Sequence, residues 1–275
     1  MLRLSRVVRL ALGPSPANPL AGGGNGLFSV VAAEGLAPAV EVEVECIGTP
    51  EATGYLVDIT VIDRGVRDLI APILRTALQA ELGGAPSDLR SVLQACAAAL
   101  APALPAALSA LTYRPSPFRS AMLELGAPPT HFPEGSLPMP DAFVLTETFE
   151  FAASHRLHLS GVSADENRAL FGKCNNPNGH GHNYRIEVAV EMAAEGKRRL
   201  DFGAIEGIVQ REVMARFDHK HLNLDCPEFA ALNPSVENIA MVCHGLLAPR
   251  FAEAGGALRF VRVWETEKTS CRYPA

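Results

Sequence analysis

"VEVEVECIG", residues 40–48, decides the fold, because apolar and acidic side chains alternate along it without a break. In an extended chain successive side chains point to opposite faces. Val40, Val42, Val44 and Cys46 therefore make one apolar face, and Glu41, Glu43 and Glu45 a polar one. A strand of this kind belongs to an antiparallel sheet with one face covered and the other wet. A second alternating run, "YRIEVAVEMA", occupies residues 184–193.

Working outward from these two runs, the same order of elements recurs. "RLSRVVRLAL" near the start also alternates in part and reads as a strand. "GYLVDITVIDRGVRDLIAPIL" (54–74) and "RRLDFGAIEGIVQREVM" (198–214) each read as a strand running through an aspartate into an amphipathic helix. "PSDLRSVLQACAAAL" (86–100) and "NPSVENIAMVCHGLL" (233–247) each read as a second helix, N-capped by the serine after proline. "FRSAMLE" (118–124) stands where "RFVRVWE" (259–265) stands later, which aligns Glu124 with Glu265 and Asp58 with Asp201. The expected fold class is α+β: two tandem ββααββ units, each an antiparallel sheet with two helices on one face. The units are 1–125 and 141–275, joined by a Pro- and Gly-rich linker at 126–140. Exposed sheet edges predict closure by pairing with neighbours, hence a homo-oligomeric β-barrel.

Composition excludes several classes. The chain has 275 residues, 48% of them hydrophobic and 20% charged, enough apolar material for a core. A net charge of −6 with no basic stripe gives nucleic acid no electrostatic hold. Arg3, Arg6 and Arg9 interrupt the apolar start, which leaves no signal-peptide core, and Pro102 and Pro105 break the most apolar stretch, so no membrane association is expected. The six cysteines form no CxxC pair and no secreted framework, consistent with reduced thiols in the cytoplasm.

All eight histidines lie after residue 130. His180 and His182, in "KCNNPNGHGHNY" (173–184), stand at i and i+2 at the start of a strand, so both imidazoles project from one side. A third histidine would complete a facial His₃ set, which holds a catalytic zinc and leaves a position open. His155, in "TFEFAASHRLHL" (148–159), is the stronger candidate; His158 is the rival, and in a strand the two face opposite ways. Cys174 lies in the loop ahead of the pair, and a thiol there can serve as fourth ligand, structural residue or base. Asp218 and His219, in "FDHKHLNLD" (217–225), offer a carboxylate–imidazole proton relay. Glu265, beside Trp264, can accept bidentate hydrogen bonds from a heterocycle.

These residues resemble a known family. "FEFAASHRL", "LFGKCNNPNGHGHNY", "LDFGAIEGIV", "FDHKHLN", "NPSVENIA" and "VWETEKTSCRY" occur in the order seen in the 6-pyruvoyltetrahydropterin and 6-carboxytetrahydropterin synthases, enzymes of the T-fold. The resemblance implies zinc held by His155, His180 and His182. It implies Cys174 as the base acting on the pterin side chain, Asp218 and His219 as its relay, and Glu265 as the anchor of the pterin ring. It implies a lyase acting on 7,8-dihydroneopterin triphosphate. The spacing C-x₅-HGH resembles the pyruvoyl branch, which eliminates triphosphate; the alternative is the queuosine-pathway branch, which makes 6-carboxytetrahydropterin and more often shows C-x₃-HGH. A further alternative is a non-catalytic pterin-binding protein. Ser235 and Val236 depart from the family's usual threonine or serine near the pterin. The first half, with no histidine and a Gly-rich "AGGGNG" (21–26), is expected to be a degenerate unit without a metal site, Glu124 being a relic of the anchor or a partner in a composite site.

Overall fold

The computed structural model describes residues 1–13, 37–85, 87–126, 142–192 and 200–275. Most of the expected linker (from residue 127), His131 and the Gly-rich 21–26 lie outside the described residues. The chain divides into two compact units, Met1–Val144 and Leu145–Ala275. The division therefore falls a few residues beyond the expected boundary, inside a strand.

In the first unit β1 (Leu2–Ala11), β2 (Ala39–Gly48), β3 (Ala107–Ser116) and β4 (Arg119–Glu124) lie side by side in that order, every neighbouring pair antiparallel. The alternation in β2 does what it predicts: Val40, Val42, Val44 and Cys46 are buried and the glutamates are not. The glutamates meet arginines on the same face, with ion pairs Arg9–Glu41, Arg114–Glu43 and Arg3–Glu45. Between β2 and β3 come α1 (Ile59–Gly65), a π-helical turn (Val66–Ile70), α2 (Ala71–Leu82) and α3 (Leu89–Leu100). Ile62, Ile70, Leu93 and Leu100 bury completely, and α3 packs on β3 and β4.

The second unit contains β5 (Ala142–His155), α4 (Ala164–Phe171) and β6 (His180–Met192). There follow α5 (Phe202–Val209), a π-helical turn (Gln210–Met214), α6 (Ala215–Phe217), the two-residue β7 (Lys220–His221), α7 (Leu222–Asp225) and α8 (Val236–Glu253). The hairpin β8 (Gly256–Thr266) and β9 (Thr269–Tyr273) closes the chain. Its strand order is β5-β6-β8-β9, with β7 pairing in parallel with the end of β5. The helix α8 packs on β8 and β9.

Three sequence expectations need correction. No strand precedes the first helix in residues 54–57; Asp58 and Asp201 are instead N-caps, accepting from the backbone N–H of Thr60 and Ala204. Ser235 caps α8 as expected, but the cap of α3 is Asp88, one residue past Ser87. The third concerns Glu124. In β2–β3 Val42 pairs with Tyr113 and a bulge follows Glu45; in β6–β8 Ile186 pairs with Val263 and a bulge follows Ala189. The terminal hairpins agree as well, Ser116 pairing with Arg119 and Thr266 with Thr269. In this register β8 matches β3 and not β4. The residue standing where Glu265 stands is Pro115, and Glu124 matches Pro274. Asp58 to Glu124 spans 66 positions and Asp201 to Glu265 spans 64, yet these similar separations end on different strands.

Leu111 is fully buried at the centre of β3. Leu111→Ala should cost about 2–5 kcal/mol in urea unfolding, the transfer loss plus the residual cavity. A loss below about 1 kcal/mol would mean that the first unit does not close around this residue.

Candidate metal centre and catalytic cluster

The period of two sets the site. His180, His182, Tyr184, Ile186 and Val188 share one face of β6, and the last three are fully buried. β5 ends in His155, a wholly buried imidazole. The ligand atoms of His155, His180 and His182 lie within 4.8 Å of one another. His158 lies apart: its Nδ1 is 3.2 Å from the Asn175 side-chain amide. It is His155, and not its rival, that the structure brings to the pair.

The His155 ring is held from behind. His155 Nδ1 is 2.7 Å from the carbonyl oxygen of Pro234, just ahead of α8. An Nδ1–H donating there leaves Nε2 with a free lone pair facing the cluster, as metal-binding imidazoles require. Burial lowers the His155 pKa to about 4, and burial together with His182 lowers that of His180. Both rings are therefore driven toward the neutral, ligating form. His155 Nε2 and His180 Nε2 are 3.1 Å apart, and His182 Nε2 is buried without a hydrogen-bond partner. Two nitrogens on one tetrahedral ion with bonds of about 2.0–2.1 Å stand roughly 3.3 Å apart. The unpartnered buried nitrogen beside such a pair has a lone pair to offer a cation. The three residues fit a divalent transition metal.

Glu265 reaches the same point from β8. Its carboxylate is 3.4 Å from His155 Nε2 and 3.7 Å from His182 Nε2. Tyr184 stacks on Phe151 beneath the cluster, ring centroids 5.1 Å apart, and its burial raises the phenol pKa.

Cys174, half-buried, lies on a short 3₁₀ turn (Gly172–Asn175) that follows α4. Its carbonyl accepts from Leu157 N–H at 2.9 Å, and Asn175 donates to Leu157 O at 2.7 Å. The backbone of Arg156 is clamped on both sides by the Asn223 side chain. The chain leaving His155 is thus tied to the chain carrying Cys174. Buried Asn167 pins the next stretch, bonding Leu159 N and the carbonyls of Leu159, Val162 and Ser163.

Asp218 and His219 form their pair, Oδ1 to Nδ1 at 2.9 Å, and lock onto β5. Asp218 accepts from Ala152 N–H, which more than any other contact holds its carboxyl below the usual range, while His219 N–H donates to Ala152 O. This fixes His219 in the left-handed region, φ 57°, with its side chain 82% exposed. Among the described residues no hydrogen bond or ion pair joins His219 to Cys174. Sequence reasoning missed the Pro234 carbonyl and the asparagine clamps. Backbone acceptors carry no residue signature, and asparagine in a polar loop reads as solvated.

Residues 144–275 match the family model described as 6-pyruvoyl tetrahydropterin synthase. The human 6-pyruvoyl tetrahydrobiopterin synthase is 36% identical over 131 residues, 47% of this chain and 89% of the relative. The chain belongs to the 6-pyruvoyl tetrahydropterin synthase family. It is accordingly an enzyme of the lyase type. The Dictyostelium discoideum 6-pyruvoyl tetrahydrobiopterin synthase is 32% identical over 47% of this chain and 94% of its own length. The solved Caenorhabditis elegans 6-pyruvoyl tetrahydropterin synthase covers 51% of this chain and 99% of that chain at 28% identity, with a TM-score of 0.43. Among the described residues no helix is long and apolar enough to cross a membrane.

Thiol reactivity tests the placement of the cysteines. Burial raises Cys46 and Cys226 to about 11 and Cys96 and Cys243 to about 12, whereas Cys174 and Cys271 are part-exposed. An Ellman titration of metal-free native protein should show two fast thiols, the other four appearing only in denaturant. Fast reaction of more than two would contradict the packing.

Proposed function

We propose that the second unit is a zinc-dependent pterin lyase that converts 7,8-dihydroneopterin triphosphate to 6-pyruvoyltetrahydropterin and releases triphosphate. The observation that carries this reading is the convergence of three imidazoles, two of them with a buried unpartnered nitrogen, beside the turn bearing Cys174 in a chain of this family. His155, His180 and His182 would hold the metal. When bound, zinc supplies Lewis acidity toward the hydroxyls of the pterin side chain, which acidifies the neighbouring C–H bonds. Cys174, as thiolate, takes a proton from a side-chain carbon, and the C–O bond to triphosphate breaks as the electron pair moves in. The Asp218–His219 pair moves protons to and from the site. Glu265 accepts from substrate held beside the imidazoles.

We infer in addition that the chain is a tandem duplication whose first unit lacks the site. The shared strand register, the bulges and the π turns at matching places support this. Just ahead of the strand of the first unit that matches β6, Pro38 stands at the place of His182, and no histidine precedes residue 131. A homo-oligomeric barrel, closed through the edges at β1 and β9, follows from the same reading.

Product analysis tests the assignment. Metal-replete protein given 7,8-dihydroneopterin triphosphate should release triphosphate and the 6-pyruvoyl product. Acetaldehyde and the 6-carboxy product would move the protein to the other branch, and no turnover would overturn both. Cys174→Ala should lower turnover about 10²–10⁴-fold, the usual worth of a general base, with metal content unchanged. Unaltered turnover would remove Cys174 from the chemistry.

A further inference from the structure

His221 belongs to none of the roles above, yet it stands against the metal centre. It is the second residue of β7, and that strand pairs in parallel with Ala153 and Ser154, directly before His155. Its own N–H donates to Asp225 Oδ2 at 2.7 Å, which fixes its backbone. Its ring lies over Gly179, the residue before His180. A Cβ on Gly179 would come to 2.7 Å from His221 Nε2 and 3.0 Å from the carbonyl oxygen of His155. Gly179 also has φ 73°, where a side chain is strained in any case. One glycine is thus wedged between the His221 ring and the backbone of the first ligand, and the next residue is the second ligand.

The wedge fixes more than packing. His180 leaves Gly179 at the start of β6, so the direction of its imidazole depends on where that turn is held. Within itself the turn is held by Gly179 N–H to Asn176 O and Asn178 N–H to Asn176 Oδ1. Its other wall is the His221 ring. The Nδ1 of His221 is buried without a hydrogen-bond partner, a cost that an apolar ring of the same shape would not carry.

We propose that His221 is a positioning residue for the metal centre: its ring presses Gly179 against the His155 carbonyl and so aims His180 at the point shared with His155 and His182. This rests on the three histidines being metal ligands. The ring acts as a wall, so a flat ring of similar size should replace it.

The test is cobalt(II) titration of metal-free protein, read by visible absorption, alongside the Tm of each metal-free variant. His221→Ala should bind cobalt about 10–100-fold more weakly, the usual worth of a group that orients a ligand, with an altered d–d spectrum and little change in metal-free Tm. His221→Phe should return affinity to within about threefold of the parent. Gly179→Ala should weaken binding in the parent, and its penalty should shrink in the His221→Ala background, where part of the clash is gone. Parent-like binding by His221→Ala would overturn the proposal. A His221→Phe variant as weak as His221→Ala would overturn it too, since a nitrogen and not the wall would then be acting. If His221→Ala fails to fold, Gly179→Ala in the parent decides: cobalt binding as tight as the parent's would overturn the proposal. Failure of the parent itself to bind cobalt would instead overturn the metal reading.

Discussion

The hydrogen bond between His155 Nδ1 and the Pro234 carbonyl is the contact on which the site depends. It joins the end of β5 to the segment that opens α8, and it settles which nitrogen of a fully buried ring faces the other two imidazoles. With the ring unable to ionise readily at that depth, the remaining nitrogen is a lone-pair donor at neutral pH. His180 and His182 then need only the alternation of a strand to meet it. Around this centre the protein spends polar side chains on backbone groups. Asn223, Asn175 and Asn167 each replace ladder hydrogen bonds where β5 gives way to irregular chain.

The two units show how little of this the fold itself demands. The first builds the same four-stranded order with the same bulge, using valines inward and glutamate–arginine pairs outward. At the register position of His182 it has Pro38, and at that of Glu265 it has Pro115. Proline can neither ligate nor accept in those roles, and the strands form regardless. The polar cluster of the second unit is therefore an addition to a scaffold that stands without it.

Much of the scaffold was legible because period two is a strong signal. The faces of β2 and β6 follow from their sequences, as does the pairing of His180 with His182 on one side. Helix starts were legible to within a residue, since an aspartate or serine cap differs little from its neighbours in sequence; hence Asp88 in place of Ser87. The alignment of Glu124 with Glu265 failed because separation along the chain does not register loops of different length, while strand pairing does. His155 could be named but not proved against His158, because β5 ends at His155 and the alternation that separates them stops there. The role of Gly179 was hidden as well. Its neighbour across the turn, His221, is 42 positions away in the sequence.

One unit of this chain is proposed to carry a metal centre and the other none. Elemental analysis of protein produced with ample zinc tests it most directly. About one zinc per chain is expected, falling to near zero in His182→Ala with the fold retained. Two zinc ions per chain, or a His182→Ala variant that keeps its metal, would contradict it.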